Sequence, residues 1–142
     1  MSSKVSKRSQ LISIEGLTPK EILELPDDHL AALIAVGPIV FKVGTAEVLG
    51  QVRLGSDSLA IELAQIDGGG EGVLLTLSLL AEAFARRRGI GAIEWIVHAI
   101  DCANPNLKLR RVLERRGFVV KDLPDIGAAY YKRQEVPREA RR

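Results

Sequence analysis

The chain has 142 residues, of which 46 % are apolar and 27 % charged. That is the size and composition of one ordinary globular domain able to bury a core. A formal net charge of +2 is too small to point to nucleic acid by itself, and no apolar run approaches the roughly 18 residues that span a membrane. The single cysteine, Cys102, excludes an intrachain disulfide and a cysteine-rich zinc site, and no metal is expected. The N-terminus is basic but lacks an apolar stretch behind it, so the expected location is the cytoplasm.

In chain order, residues 1–10 are polar, basic and without period, and are expected to be a disordered tail. Leu11 to Ile14 is a short strand candidate. Thr18-Pro19-Lys20-Glu21 opens a helix: Thr18 caps, Pro19 suits the first helical position, and Glu21 completes a capping box. That helix stops before Pro26. Asp27 or Asp28 caps a second short helix, which ends at Gly37. Three strand-like runs follow, Pro38 to Val43, Glu47 to Leu54 and Ser58 to Ile66, with turn-rich spacers that make them an antiparallel meander. The glycine-rich loop Asp67-Gly68-Gly69-Gly70-Glu71-Gly72 leads into a helix from Val73 to Arg88, on which Val73, Leu77, Leu80 and Phe84 recur at helical spacing. Ala92 to Ile100 is almost entirely apolar, as in a strand covered on both faces. Asn104-Pro105 starts another helix that ends at Gly117. Short strands at Phe118 to Val120 and Ala128 to Lys132 close the sheet, and residues 134–142 form a basic tail. The expected product is one α/β (α+β) domain over residues 11–133. Its mixed central sheet has about six or seven strands: an antiparallel meander, then a parallel, right-handed strand–helix–strand unit.

The order of elements resembles the GNAT superfamily of N-acetyltransferases over roughly residues 38–133. Asn106 to Phe118 reproduces the spacing of that family's motif from asparagine to Gly-Phe, here Gly117-Phe118. The resemblance implies acetyl-CoA, or another acyl-CoA, as cosubstrate, an unidentified amine as acceptor, and a monomer or homodimer with no membrane partner. In the family, a glycine-rich turn between a strand and a long helix holds the cofactor pyrophosphate on backbone N–H groups. Two strings compete for that role. Arg86 to Gly91 reads Arg-x-x-Gly-x-Gly, but it follows a helix and precedes a strand, so it is expected to be a helix C-cap. Ile66, Asp67, Gly68, Gly69, Gly70, Glu71, Gly72 and Val73 follow a strand and open a helix, where free amides and the dipole attract an anion. Asp67 stands where the family has glutamine or arginine. Asn106 matches the asparagine that contacts the cofactor arm, with a helix N-cap as its alternative role. Leu113 stands where the family has its thiolate-protonating tyrosine.

The resemblance also implies that the strand before the loop and the next strand splay apart around the acyl group. The base is therefore sought there. His98 leads, because an imidazole titrates near neutral pH; its alternative is a core histidine satisfied by a backbone carbonyl. Glu62 and Glu94 share parity on buried strands, with pairing to an arginine as their alternative. The contrasting function is a catalytically degenerate GNAT-like module that binds a protein or nucleic acid through Arg86 to Arg88, Lys108, Arg110-Arg111 and Arg115-Arg116.

Overall fold

The computed structural model describes residues 12–67, 71–100 and 107–137, without the side chains of 65–67 and 71. Helix α1 (Pro19–Leu23) carries the full capping box: the Thr18 side chain accepts from the Glu21 amide at 3.2 Å, and Glu21 Oε1 accepts from the Thr18 amide at 2.9 Å. Helix α2 (Asp27–Ala35) departs from expectation at its start. Its N-cap is Pro26, with no side-chain cap, and Asp27 and Asp28 lie inside the first turn. There the two carboxylates oppose the helix dipole, which stabilises the end without a capping bond.

Strands β1 (Ile12–Ile14), β2 (Ile39–Val43), β3 (Ala46–Leu54), β4 (Ser58–Asp67), β5 (Ala92–Val97), β6 (Val119–Leu123) and β7 (Gly127–Glu135) form one sheet in the order β1-β2-β3-β4-β5-β7-β6. Every neighbouring pair is antiparallel except β4 and β5, which run parallel from Ser58↔Ala92 to Leu63↔Val97. Helix α3 (Glu71–Arg88) makes the crossover between them, and α4 (Leu107–Arg115) links β5 to β6. This is the mixed sheet expected, with a meander followed by a parallel strand–helix–strand unit. Strand β7 extends past the expected boundary: Gln134 and Glu135 are paired, and Val136 is buried with its amide donating to Gly91 O at 2.9 Å.

The core lies on the helix-covered face of the sheet, where Leu59, Ile61 and Trp95 meet Leu77, Ala81 and Phe84 of α3. Trp95 is one of these core residues, its indole N–H donating to Gln134 Oε1 at 3.0 Å. Arg88 closes the lower end of the core: it lies over the Phe84 ring and donates to Leu25 O at 2.6 Å and to Asp27 Oδ1. The Arg86–Gly91 string is a helix terminus. Gly89, at φ 70°, donates to Arg86 O, and Ile90 donates to Ala85 O, the two bonds of a Schellman cap.

Candidate active site

Strand alternation places Leu59, Ile61 and Leu63 toward the helices, so Ala60 and Glu62 project from the opposite face. The parallel register sets Glu62 beside Ile96, and the next residue of that parity on the β5 side is His98. The ladder makes one further bond, from the His98 amide to Leu63 O at 3.0 Å, and then stops. Beyond this point β4 continues to Asp67 on β3 alone, through Gln65↔Leu49, Ile66↔Val48 and Asp67↔Glu47. Ala64 falls in a register shift, because Leu49 faces Gln65 while Gly50 faces Leu63. A bulge of this kind bends its strand and re-aims neighbouring side chains. Gly50 sits opposite the bulge, where a β-carbon would lie 3.0 Å from Glu62 O, Leu63 Cδ2 and Phe41 Cε1, so any larger residue requires its neighbours to shift.

On the other side of the opening, the chain leaving β5 is drawn toward α4. Arg110 Nε donates to Ala99 O at 2.7 Å, and one of its terminal nitrogens donates to Ile100 O at 3.0 Å. Strands β4 and β5 therefore part just above Leu63 and His98, with a bulge on one side and an arginine clamp on the other.

At that fork, His98 Nε2 lies 2.6 Å from Glu62 Oε2, and Arg53 donates to Glu62 Oε1 at 2.7 Å. The carboxylate thus bridges two cationic or donor groups through separate oxygens. Its side chain is 17 % exposed, against 27 % for His98 and 47 % for Arg53. Burial alone would raise the Glu62 pKa, but hydrogen bonds and charge from Arg53 and His98 outweigh it and hold the carboxyl below its ordinary range. An ionised carboxylate can only accept, so Nε2 is the donor nitrogen of this pair and Nδ1 is the nitrogen directed away from it.

The sequence candidates separate here. His98 and Glu62 come together, although 36 positions apart in the chain. Glu94 does not join them: it pairs with Arg133 at 3.5 Å and interacts with Tyr131 of β7. Arg53 was not among the candidates. Of the expected phosphate loop, Ile66 and Asp67 lie in β4, while Glu71, Gly72 and Val73 form the first turn of α3; Gly68, Gly69 and Gly70 lie outside the described residues. Gly72 is exposed and faces open space, and its carbonyl accepts from Thr76 Oγ1 at 2.7 Å. Asn106, Asp101 and Cys102 also lie outside the described residues. Leu113 is 0 % exposed, a core residue of α4. The neighbouring phenol, Tyr130, is buried and donates to Glu114 Oε2 at 2.7 Å. Burial, and then Glu114, push its pKa up. Among the described residues, no group of three or more acidic, histidine or cysteine side chains forms a metal cluster, and no helix is long and apolar enough to cross a membrane.

Several of the clustered arginines are tied within the chain. Arg86 pairs with Glu82 at 2.7 Å, Arg88 with Asp27 and Leu25, and Arg110 with two backbone carbonyls.

No family model and no curated protein matches the sequence. Among solved structures, the chain is similar to yncA from Salmonella typhimurium, solved with its cofactor acetyl-CoA, at 12 % identity over 92 % of this chain and 97 % of that one, TM-score 0.45. It is similar to an acetyltransferase of the GNAT family from Streptococcus pneumoniae at 12 % identity over 89 % and 99 % of the two chains, TM-score 0.43. It is also similar to RimJ from Mycobacterium smegmatis, in complex with CoA-disulfide, at 13 % identity over 90 % and 83 %, TM-score 0.44. The strand order, the single parallel pair and the crossover helix give the chain a GNAT-type fold.

Proposed function

We propose that the chain is an acyl-CoA-dependent N-acyltransferase that moves an acetyl group from acetyl-CoA to an amine, with His98 as general base. One observation carries this. The only histidine–carboxylate pair among the described residues, His98–Glu62, stands where the two parallel strands part, with Glu62 on the strand that leads into the 18-residue helix α3 and His98 just past the other.

In this reading the backbone of residues 66–73, with Asn106, holds the cofactor. The first N–H groups of α3 have no partner within the helix and suit an anion. The acceptor amine approaches the fork from the face that carries Glu62 and His98. The amine nitrogen attacks the thioester carbonyl carbon, and a C–N bond forms. His98 Nδ1 takes the amine's proton, while Glu62 stabilises the imidazolium through Nε2. The C–S bond then breaks, and water supplies the proton to the departing thiolate, because Leu113 has none to give. A base placed this way is worth about 10²–10⁴ in rate.

The test is binding of acetyl-CoA followed by backbone amide NMR, then thiol release with a panel of acceptors: a peptide with a free N-terminus, a lysine peptide, spermidine and an aminoglycoside. Chemical-shift changes centred on residues 66–73, and thiol release lost in His98→Gln, are expected. Absence of acetyl-CoA binding sinks the assignment. The tying of Arg86, Arg88 and Arg110 within the chain weighs against the alternative of a basic interaction module.

A further inference from the structure

We propose that Arg53 is a positioning residue of this site: it holds one oxygen of Glu62 so that the other orients His98. The proposal rests on the acyltransfer reading given above and concerns a residue outside the proposed base and cofactor segment.

The geometry comes from the register of β3 against β4. Arg53 faces Ala60, so its side chain reaches diagonally across the strand pair to Glu62, two positions further on the same face. The two contacts use different oxygens, Oε1 at 2.7 Å for Arg53 and Oε2 at 2.6 Å for His98. A carboxylate gripped at both oxygens cannot rotate about its last bond without losing one partner, so the direction in which it holds Nε2 is fixed from β3. That direction fixes where Nδ1 points.

Charge gives the second effect. A lone carboxylate beside an imidazole favours the imidazolium, which is useless as a base. A guanidinium on the far oxygen offsets part of that attraction. Other groups near His98 do not replace it. On β5, Glu94 shares the face but is engaged by Arg133. On β7, Tyr131 faces Ile96 and interacts with Glu94. From α4, Arg110 is held on the carbonyls of Ala99 and Ile100.

The chain has two histidines, and His29 is exposed on α2, so a His29→Gln background leaves one imidazole to observe. In that background, the His98 ring signals are titrated by NMR in the unchanged protein and in Arg53→Met, Arg53→Lys and Glu62→Gln. Arg53→Met moves the titration midpoint to higher pH, Glu62→Gln moves it lower, and Arg53→Lys restores it at least in part. In thiol-release assays with the fastest acceptor of the panel, Arg53→Met lowers kcat/KM about threefold at neutral pH, the size expected for one partly screened charge. The acidic limb of its pH profile moves up, and KM for acetyl-CoA is unchanged. A midpoint that stays put in Arg53→Met while folding stability drops overturns the proposal, because Arg53 is then only structural. Failure of acetyl-CoA to bind the unchanged protein overturns the acyltransfer reading instead, and the NMR titration tells the two failures apart.

Discussion

Replacing Gly50 by alanine decides whether β3 and β4 approach as closely at the bulge as the geometry requires. Two effects of opposite sign compete. An ordinary strand glycine is worse than alanine by roughly 0.5–1 kcal/mol, so the substitution should stabilise if space allows. Here the new methyl meets three atoms at 3.0 Å, of which Glu62 O is backbone, while Leu63 and Phe41 are core side chains at 0 % and 5 % exposure. None of the three is the free end of a flexible chain, so strands must separate by a few tenths of an ångström. Overpacking of that kind costs about 1–3 kcal/mol. Overpacking outweighs the gain at mid-range values, for a net loss of about 1.25 kcal/mol and at most about 2.5 kcal/mol. At about 2–4 °C per kcal/mol for a chain near this size, Tm falls by roughly 2.5–5 °C, and by at most about 10 °C. Urea unfolding at fixed m-value, followed by circular dichroism, measures it. Gly72→Ala is the internal control: it lies in the first turn of α3 with nothing within 4 Å of the added carbon, and should gain about 0.5 kcal/mol. A Gly50→Ala protein as stable as the original would refute the close approach and, with it, the bulge that opens the fork.

Arg88→Met should cost about 1–3 kcal/mol, since it strips the Leu25 carbonyl of its charged donor. Asp27→Ala should change stability by less than about 0.5 kcal/mol, because Asp27 is 95 % exposed; chemical denaturation separates the two contributions. Glu62 is held below the ordinary carboxyl range, so its contribution is present above that range and lost as pH falls through its folded value; the acid limb of a stability–pH curve should be flatter in Glu62→Gln. Both phenols are pushed above their ordinary range, chiefly by burial and then by Glu114 for Tyr130 and Glu94 for Tyr131. Their contribution is present below the ordinary phenol range and lost as pH rises through the folded values. Tyrosinate absorbance should therefore lag behind a free-tyrosine standard until the fold gives way, and Tyr130→Phe should reduce the alkaline loss of stability.

Local rules made much of the architecture legible. The capping box at Thr18 and Glu21, the helical spacing from Val73 to Phe84 and the apolar run of β5 each depend on neighbours in sequence; the first two appear where expected, while β5 stops at Val97, three residues short of the expected Ile100. The phosphate-loop candidate shortened at both ends for physical reasons. Pairing with Glu47 carries β4 through Asp67 despite the low strand preference of aspartate, and α3 already begins at Glu71. The site itself was half legible. His98 and Glu62 were chosen one by one, on titration range and parity, but their contact depends on the register of a parallel pair joined by α3, which no local pattern sets. Arg53 had a usable signal: the tight turn at Gly55-Ser56-Asp57 fixes Leu54 opposite Leu59, and counting back from it brings Arg53 to the diagonal of Glu62. The bulge at Ala64 left no trace in the sequence except the glycine it leans on.

Among the described residues seven strands lie side by side in one sheet, and there only the β4–β5 ladder joins its two antiparallel portions. Each portion is continuous in the chain, residues 12–67 on one side and 92–135 on the other, with α3 between them. Cutting the six-rung join threads no strand through another, so the molecule has a natural place to be divided into two peptides and reassembled. Breathing of the sheet would be concentrated along the same line. Amide exchange in Ile61, Leu63 and His98 would then report the opening and closing of the fork, while the hairpins on either side stay protected.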